Sequence, residues 1–144
     1  MRATVWFRVT AGLMLLFAAG HTFGFLTFDP ATAEGRAVWE AMKSTHFTVG
    51  GSTFSYGEFY LGFGLTISAV QLFEAWLAWQ LGSMARRGVR DAGVIAWGMV
   101  VLQLIGFGLS WRYFSIVPAA LSLVTAFTLA MGAVSMRRVD IVAG

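Results

Sequence analysis

Apolar residues occur in long runs along the chain, and short polar segments separate the runs. Each of four runs is close to the roughly 20 residues that a helix needs to cross a bilayer. The pattern therefore predicts four membrane-spanning helices, over about residues 6–28, 59–81, 92–111 and 114–136. Short connections between the last three spans require antiparallel neighbours. We expect an all-α integral membrane protein, a four-helix transmembrane bundle in which residues 1–144 form one domain.

The connection between the first two spans is longer and has a pattern of its own. Asp29 is expected to cap a new helix that starts at Pro30. Up to about residue 46, charged side chains share one face and apolar side chains another, which predicts a short amphipathic helix over 30–46 at the membrane interface. The Gly- and Ser-rich stretch 48–55 then predicts a flexible turn.

The composition supports a membrane protein. Hydrophobic residues make up 58% of the chain and charged residues 12%, which lies outside the range of soluble globular domains. The absence of Cys excludes disulfides, thiolate metal sites and Cys nucleophiles. The net charge of +3 does not indicate a nucleic-acid partner, because the Arg residues cluster between apolar runs instead of forming a basic face. The lipid bilayer is the expected partner.

The first 20 residues have the features of a secretory signal peptide, with an early Arg2 and the small triplet Ala18-Ala19-Gly20. The apolar run continues to Phe28, however, which is too long for the apolar part of a signal peptide. We therefore expect this segment to stay as the first span.

The basic residues predict an orientation. Lys and Arg accumulate on the cytoplasmic side of membrane proteins. The chain ends and the second connection hold seven of the ten basic residues, Arg2, Arg8, Arg86, Arg87, Arg90, Arg137 and Arg138. Both termini are therefore expected in the cytoplasm, with the segment 29–55 outside.

Small residues at i, i+4 spacing mark faces where helices can pack closely. Packing within the bundle is the favoured interpretation, and self-association or docking on another membrane protein is the alternative. The residues are Gly20 and Gly24, Gly64 and Ser68, Gly106 and Ser110, and Ser122, Ala126 and Ala130.

Polar side chains inside apolar spans are costly, so each is a candidate for function or for internal pairing. His21 lies within the first span, and the topology brings His46, Glu58 and Arg112 to the same outer side. A carboxylate beside an imidazole can act as an acid/base pair, and an Arg can hold an anionic head group. These four residues are the candidate catalytic residues of an outer-facing pocket, to which the topology also brings Tyr56 and Tyr60.

Internal pairing between the helices, without any substrate, is the alternative explanation of the same polar side chains. A Glu58–Arg112 ion pair would tie span two to span three, and His21 would hydrogen-bond a neighbouring helix. We expect no metal and no cofactor. The alternative is a b-type haem held by His21 and His46, since two imidazoles can ligate haem inside a helix bundle.

The second span carries a further carboxylate, Glu74, with Gln71 on the same face. Glu74 is rotated by about 160° from Glu58 around a straight helix, so the two do not form one site. We expect Glu74 to hydrogen-bond Gln103 of the third span or to extend toward the inner face. Coupling of a proton or cation in a small transporter is the alternative.

Three strings carry a resemblance to a known family: HTFGFLTF (21–28), VWEAM (38–42) and FSYGEFYLGFGL (54–65). With them the chain resembles an uncharacterised family of small bacterial four-helix integral membrane proteins, which has no assigned activity. The resemblance implies the topology and a bacterial inner membrane, and it assigns no catalytic residue. The architecture is also similar to that of DoxX-like proteins, although no motif of theirs matches.

Three functions follow from these observations. The first is a non-enzymatic accessory or assembly subunit that engages another membrane protein. The second is a membrane-embedded enzyme or binder of a lipid-soluble substrate, of the quinone or isoprenoid type, at the outer His/Glu/Arg site. The third is a small oligomeric transporter. No phosphate-binding loop, metalloprotease or serine-hydrolase motif occurs in the sequence.

Overall fold

A computed structural model describes residues 2–89 and 91–142, with the side chains of 137–142 excluded. Arg90 and the side chains of Arg137 and Arg138, which enter the charge argument, lie outside the described residues. The described chain forms, in order, α1 (Arg2–Leu26), α2 (Ala33–Ser44), β1 (His46–Val49), β2 (Ser52–Ser55), α3 (Tyr56–Arg86), α4 (Ala92–Tyr113) and α5 (Ile116–Val142).

Four helices are long and apolar enough to cross a membrane: α1, α3, α4 and the Ile116–Met136 part of α5. The predicted all-α membrane protein, with four spans and a short helix between the first two, is confirmed. Several helix boundaries differ from the prediction by a few residues, and two of these differences change the connections. The second span continues past Gly82 to Arg86, and the last connection is Phe114-Ser115, since Arg112 and Tyr113 still belong to α4.

The chain divides into two compact units. The first unit contains Met1–Phe17 and Gln71–Gly144, and the second contains Ala18–Val70. We call the first the bundle unit and the second the hairpin unit. Helices α1 and α3 each contribute residues to both units.

The bundle unit has a core to which four helices contribute. Phe7 of α1, Leu81 of α3, Ala96 of α4 and Leu129 of α5 are all fully buried in one cluster. Small side chains occupy much of this core, as is typical of helices that approach closely in membranes. Gly132 of α5 lies directly against the ring of Phe7 of α1, because a Cβ added to Gly132 would lie 2.6 Å from Cε1 of Phe7.

Helix α3 ends in a glycine cap. Gly88 has a φ of +70°, which L side chains rarely adopt. The amide of Val89 donates to Met84 O at 3.1 Å, and the amide of Gly88 donates to Ala85 O at 3.4 Å. This is the Schellman arrangement, which satisfies the last carbonyls of a helix. The glycine after the basic residues therefore ends the helix, and Gly82 lies within it.

The short helix α2 starts later than predicted. Its N-cap is Thr32, whose hydroxyl accepts a hydrogen bond from the amide of Gly35 at 3.0 Å. The expectation that Asp29 caps the helix is therefore wrong, because the Thr32 hydroxyl already satisfies the first turn. Trp39 and Met42 are partly covered, and no residue of α2 is fully buried.

The stretch predicted as a flexible turn forms a regular antiparallel hairpin. Strands β1 and β2 pair from His46 opposite Ser55 to Val49 opposite Ser52. The two residues between the strands, Gly50 and Gly51, have φ values of 57° and 82°. Hairpin turns of type I′ require a positive φ at both central positions, which glycine adopts without strain. The glycines therefore fix the turn.

The small residues divide into two groups. Gly64 lies against the ring of Phe25, and a Cβ on Gly106 would lie 3.5 Å from the Ser122 hydroxyl, as expected for close packing. Gly20 and Gly24 differ, because no described atom would lie within 4 Å of a Cβ added to either, apart from the backbone of α1 itself. Within the hairpin unit these two residues have no packing partner, and their packing in the four-helix bundle stays a prediction.

Candidate functional site

The candidate site lies in the hairpin unit, where strand β2 leads directly into α3. The Ser55 hydroxyl accepts a hydrogen bond from the Glu58 amide at 3.0 Å, and Glu58 Oε2 accepts one from the Ser55 amide at 2.7 Å. This reciprocal pair is a capping box, which satisfies amides at the start of a helix. The box fixes the carboxylate of Glu58 at the first turn of α3.

His46 reaches the same place from the other strand. It pairs with Ser55 across the hairpin, and its Nδ1–H donates to Ser44 O at 2.8 Å. This bond leaves Nε2 of the neutral ring as a hydrogen-bond acceptor. Side chains alternate across a strand, so the polar residues His46, Thr48, Thr53 and Ser55 share one face of the hairpin.

A series of aromatic rings connects α1, α2 and α3 within this unit. His21 stacks on Phe25, with ring centroids 5.8 Å apart and planes 10° apart. Phe25 contacts Tyr60 at 5.1 Å, Tyr60 contacts Trp39 edge-on at 5.7 Å, and Trp39 contacts Phe28 edge-on at 6.0 Å. We call these five residues the aromatic series. Such pairs add to the stability of a packed surface beyond the area that they bury.

A cavity of about 400 Å³ is bordered by every member of this series except His21 and by the capping box. Its volume is in the range of sites that hold small organic molecules. Aromatic and aliphatic side chains form most of its wall, and a few polar side chains border it. The residues that line the cavity are Phe25, Leu26, Phe28, Trp39, Lys43, His46, Ser55, Gly57, Glu58, Tyr60 and Leu61.

The polar side chains at the cavity offer both donors and acceptors. Lys43 Nζ donates to Glu40 Oε1 at 2.8 Å, and an ammonium group keeps further N–H donors for a ligand oxygen. Gly57 allows α2 to approach α3 here, because a Cβ on it would lie 3.3 Å from the Cα of Lys43. Hydrogen-bond donors and acceptors therefore border the same cavity as the aromatic rings.

A second groove in the same unit has a different character. It measures about 420 Å³ and is lined by Val49, Phe54, Phe59, Phe63 and a few neighbouring residues. Glu58 and Thr66 contribute the polar atoms of this groove. A cation, an imidazole and a carboxylate meet only at the first cavity of these two.

The four predicted site residues have different environments. His46 and Glu58 line the cavity together, and His21 is next to it through Phe25. His21 Nε2–H donates to Gly64 O at 3.2 Å, which fits the expected bond to a neighbouring helix. Arg112 belongs to the bundle unit, where its guanidinium carbon lies 5.2 Å from the Tyr113 ring centroid. The Glu58–Arg112 pair would join the two units and stays a prediction.

The same side chains determine which groups could bind a metal ion or a haem. In the described residues no three His, Cys, Asp or Glu side chains are grouped so that they could hold a metal ion. In each histidine, one ring nitrogen forms a hydrogen bond to a backbone carbonyl oxygen, of Gly64 for His21 and of Ser44 for His46. Haem ligation through Nε2 of His21 would break its bond to Gly64, and the haem alternative stays a prediction.

The second predicted carboxylate lies in the bundle unit and is buried. Gln103 Nε2 donates to Glu74 Oε2 at 3.1 Å, which confirms the expected hydrogen bond. Thr10 and Thr128 form a second buried bond at 2.8 Å between α1 and α5. These bonds connect helices, and they give Glu74 a structural partner.

Sequence reasoning missed several residues of the cavity, among them Phe25, Trp39 and Lys43, whereas Tyr60 was expected at the outer pocket and does line the cavity. The aromatic series depends on contacts between residues far apart in sequence, which no local pattern reveals. A signal did exist for the start of α3, since Ser55-Tyr56-Gly57-Glu58 has the spacing of a capping box. Two glycines between short β-branched and aromatic segments likewise indicate a hairpin.

The fold and the cavity define a multi-pass membrane protein with a candidate ligand site in its hairpin unit. Compared with protein-family models, curated proteins and solved structures, the chain matches none.

Proposed function

We propose that this protein binds a lipid-soluble molecule of the quinone or isoprenoid type in the cavity of the hairpin unit. The observation that carries the proposal is the combination of the aromatic series with Lys43, His46 and Glu58 around one cavity. Ligand sites are mostly apolar, with a few placed polar groups that orient the ligand. We assign binding to this site and no chemical step.

A quinone ring fits this lining better than an unbranched lipid chain. Trp39 and Tyr60 present ring faces and edges that pair with another planar ring. A quinone carbonyl accepts hydrogen bonds, and the Lys43 ammonium has N–H groups to donate. Exposed Leu26 and Leu61 offer apolar surface to an isoprenoid tail. The ring is therefore expected inside the cavity and the tail along α1 and α3.

The proposal includes a location and an orientation. The chain would reside in a bacterial inner membrane with both termini in the cytoplasm, because seven basic residues would then face the inside. The segment between α1 and α3 would lie outside. Replacing Arg86 and Arg87 with Glu should change the topology that reporter fusions detect. An unchanged reporter pattern in these variants, and reporters that place the termini outside in the natural chain, would both contradict the orientation.

Extraction of the purified protein tests the ligand proposal. The protein is purified from bacterial membranes in mild detergent, and the bound lipids are identified by mass spectrometry. We expect a quinone or isoprenoid at about one molecule per chain, and about tenfold weaker retention in Trp39→Leu, since the lost ring contact is worth about one to two kcal/mol. The visible spectrum of the same sample tests for haem through its Soret band.

Trp111→Leu is the matched control. Trp111 is exposed, belongs to the bundle unit and does not line the cavity. This variant should retain the ligand as the natural chain does. Equal amounts of quinone in all three samples, at the level found in empty micelles, would contradict the proposal.

A second function, an accessory or assembly subunit, is favoured by the open face of Gly20 and Gly24. Small residues at this spacing promote close contact between membrane helices, yet nothing described covers them. The proposed partner is another membrane protein or a second copy of the chain. Co-purification in mild detergent should be lost in Gly20→Leu/Gly24→Leu and kept in Gly12→Leu, which changes another open glycine of α1. A partner that survives the double substitution would contradict this use of the face.

A further inference from the structure

The bundle unit holds a pair of guanidinium groups that the proposed function does not use. Arg8 of α1 lies over Trp79 of α3, with its guanidinium carbon 3.0 Å from the ring centroid. Arg8 Nη2 donates to the Ser83 hydroxyl at 3.1 Å. The indole face and the hydroxyl therefore hold this guanidinium in a defined plane, as cation–π contacts do.

Arg86 reaches the same hydroxyl one turn later. Its Nη2 donates to Ser83 Oγ at 3.4 Å, and the hydroxyl itself donates to Trp79 O at 3.4 Å. A hydroxyl has one donor and two acceptor positions. All three hydrogen-bonding positions of the Ser83 hydroxyl are therefore occupied, and the hydroxyl brings two positively charged side chains together.

These two charges have no counter-charge in the described part of the chain. The ion pair found there is Lys43–Glu40, which belongs to the hairpin unit. Arg8 Nη1 is buried and has no hydrogen-bond acceptor. Leaving a buried charged donor unsatisfied costs free energy, and two close cations repel each other. The arrangement therefore lacks an anion.

Gly82 makes room for this arrangement. A Cβ on Gly82 would lie 3.3 Å from Arg8 Nε and 3.5 Å from Thr4 O. That spacing is tight, so a larger residue would displace the guanidinium from the α3 surface. The glycine in the sequence LGSMAR serves this close approach, since the helix continues past it.

We propose that Arg8 and Arg86 bind a phosphate group beside Ser83. Guanidinium N–H groups match the oxygens of phosphate in geometry and charge, and such charge-assisted bonds are stronger than neutral ones. A phosphate group can accept hydrogen bonds from N–H groups of both side chains, and its negative charge neutralises the repulsion between them. Anionic lipid headgroups gather at basic residues near the ends of membrane helices.

Native mass spectrometry of the full chain in detergent tests this site. Phosphatidylglycerol is titrated against the protein, diacylglycerol serves as the phosphate-free lipid, and inorganic phosphate is a third probe. We expect phosphatidylglycerol to bind at least about tenfold more tightly than diacylglycerol, as one charge-assisted hydrogen bond implies. Arg8→Gln and Arg86→Gln should each lose this preference.

Arg87→Gln is the matched control, because it removes the same charge one position later from an exposed side chain. It should keep the preference for the phosphate lipid. Arg86 is exposed, so Arg86→Gln keeps the test valid even if Arg8→Gln does not fold. Binding of inorganic phosphate as tight as that of the lipid would support the site with free phosphate as its ligand. Equal binding of the two lipids, or an equal loss in Arg87→Gln, would overturn the proposal.

Discussion

The bundle unit and the hairpin unit use their side chains in opposite ways. Among the described residues of the bundle unit, large side chains such as Phe7, Met14, Leu81 and Leu129 are completely buried. In the hairpin unit the buried residues are small, namely Ala18, Ser55, Gly64 and Ser68, and the large aromatic side chains stay at least partly exposed.

The polar groups of the two units differ in part. In the bundle unit the bonds Thr10–Thr128 and Glu74–Gln103 join helices in the interior. In the hairpin unit the bonds Thr22–Ser68 and His21–Gly64 also join two helices, α1 and α3. Other polar groups of this unit cap α3 or border the cavity. Regions with few buried apolar contacts open at low free-energy cost, and ligand sites are drawn from them. The densely packed interior therefore lies in one unit, and the proposed ligand site lies in the other.

The largest expected effect is in the packed interior of the bundle unit. Gly132→Ala would place a Cβ 2.6 Å from a fully buried Phe7 ring, which has no space to move into. We expect the free energy of unfolding, measured by titration with a denaturing detergent, to fall by about 2 kcal/mol. Gly98→Ala is the control, because a Cβ there meets open space and alanine favours a helix. Equal values for the two variants would contradict the dense packing of this unit.

A slightly smaller loss of stability is expected when one partner of a buried hydrogen bond is removed. Gln103→Leu leaves the carboxyl of Glu74 without its partner, and the free energy of unfolding should fall by about 1–2 kcal/mol. Adding Glu74→Leu should recover most of this loss, since removing both partners is nearly neutral. A double variant that is less stable than the single one would show that Glu74 has another role.

In the hairpin unit, loss of the helix cap has a moderate effect. Ser55→Ala removes the acceptor for the Glu58 amide, and stability should fall by about 1 kcal/mol. Hydrogen exchange should accelerate at the first turn of α3 and stay unchanged in α4 and α5. Ser52→Ala changes an exposed serine of the same hairpin and serves as the control. Faster exchange throughout the bundle unit would argue against a separate hairpin unit.

The smallest effect on stability is expected for Gly64→Ala. The added Cβ would overlap the ring of Phe25, but this ring is only half-buried and lines the cavity, into which it can turn. Stability should change by less than about 1 kcal/mol, while ligand retention falls because the aromatic series is disturbed. Gly62→Ala, which meets open space, should change neither. A loss of stability as large as that of Gly132→Ala would end the distinction between the units.

The four spans were predictable because each apolar run matches the thickness of a bilayer and short polar segments separate the runs. The Glu74–Gln103 bond was also predictable, since both side chains lie in mid-span and need a partner. Both features follow from the spacing of residues along the chain and from the free-energy cost of a polar group in lipid.

The cavity could not be predicted in the same way. Phe25, Trp39 and Tyr60 meet only because the hairpin returns the chain from α2 to α3. Glycines in the hairpin turn were mistaken for flexibility, although two positive φ angles make them a defined turn. Gly20 and Gly24 have the spacing of packed helices yet have no packing partner within the hairpin unit, because spacing alone does not say which face meets a neighbour.

Photo-crosslinking tests the central claim, that the hairpin unit is the binding unit. A quinone with a photoreactive azide on its ring is irradiated with the natural chain in detergent, and the labelled peptides are identified by mass spectrometry. The account predicts labels on the segment that contains Trp39 and Tyr60, and competition by an unlabelled quinone. Labels spread evenly over exposed residues of α4 and α5, without competition, would contradict it.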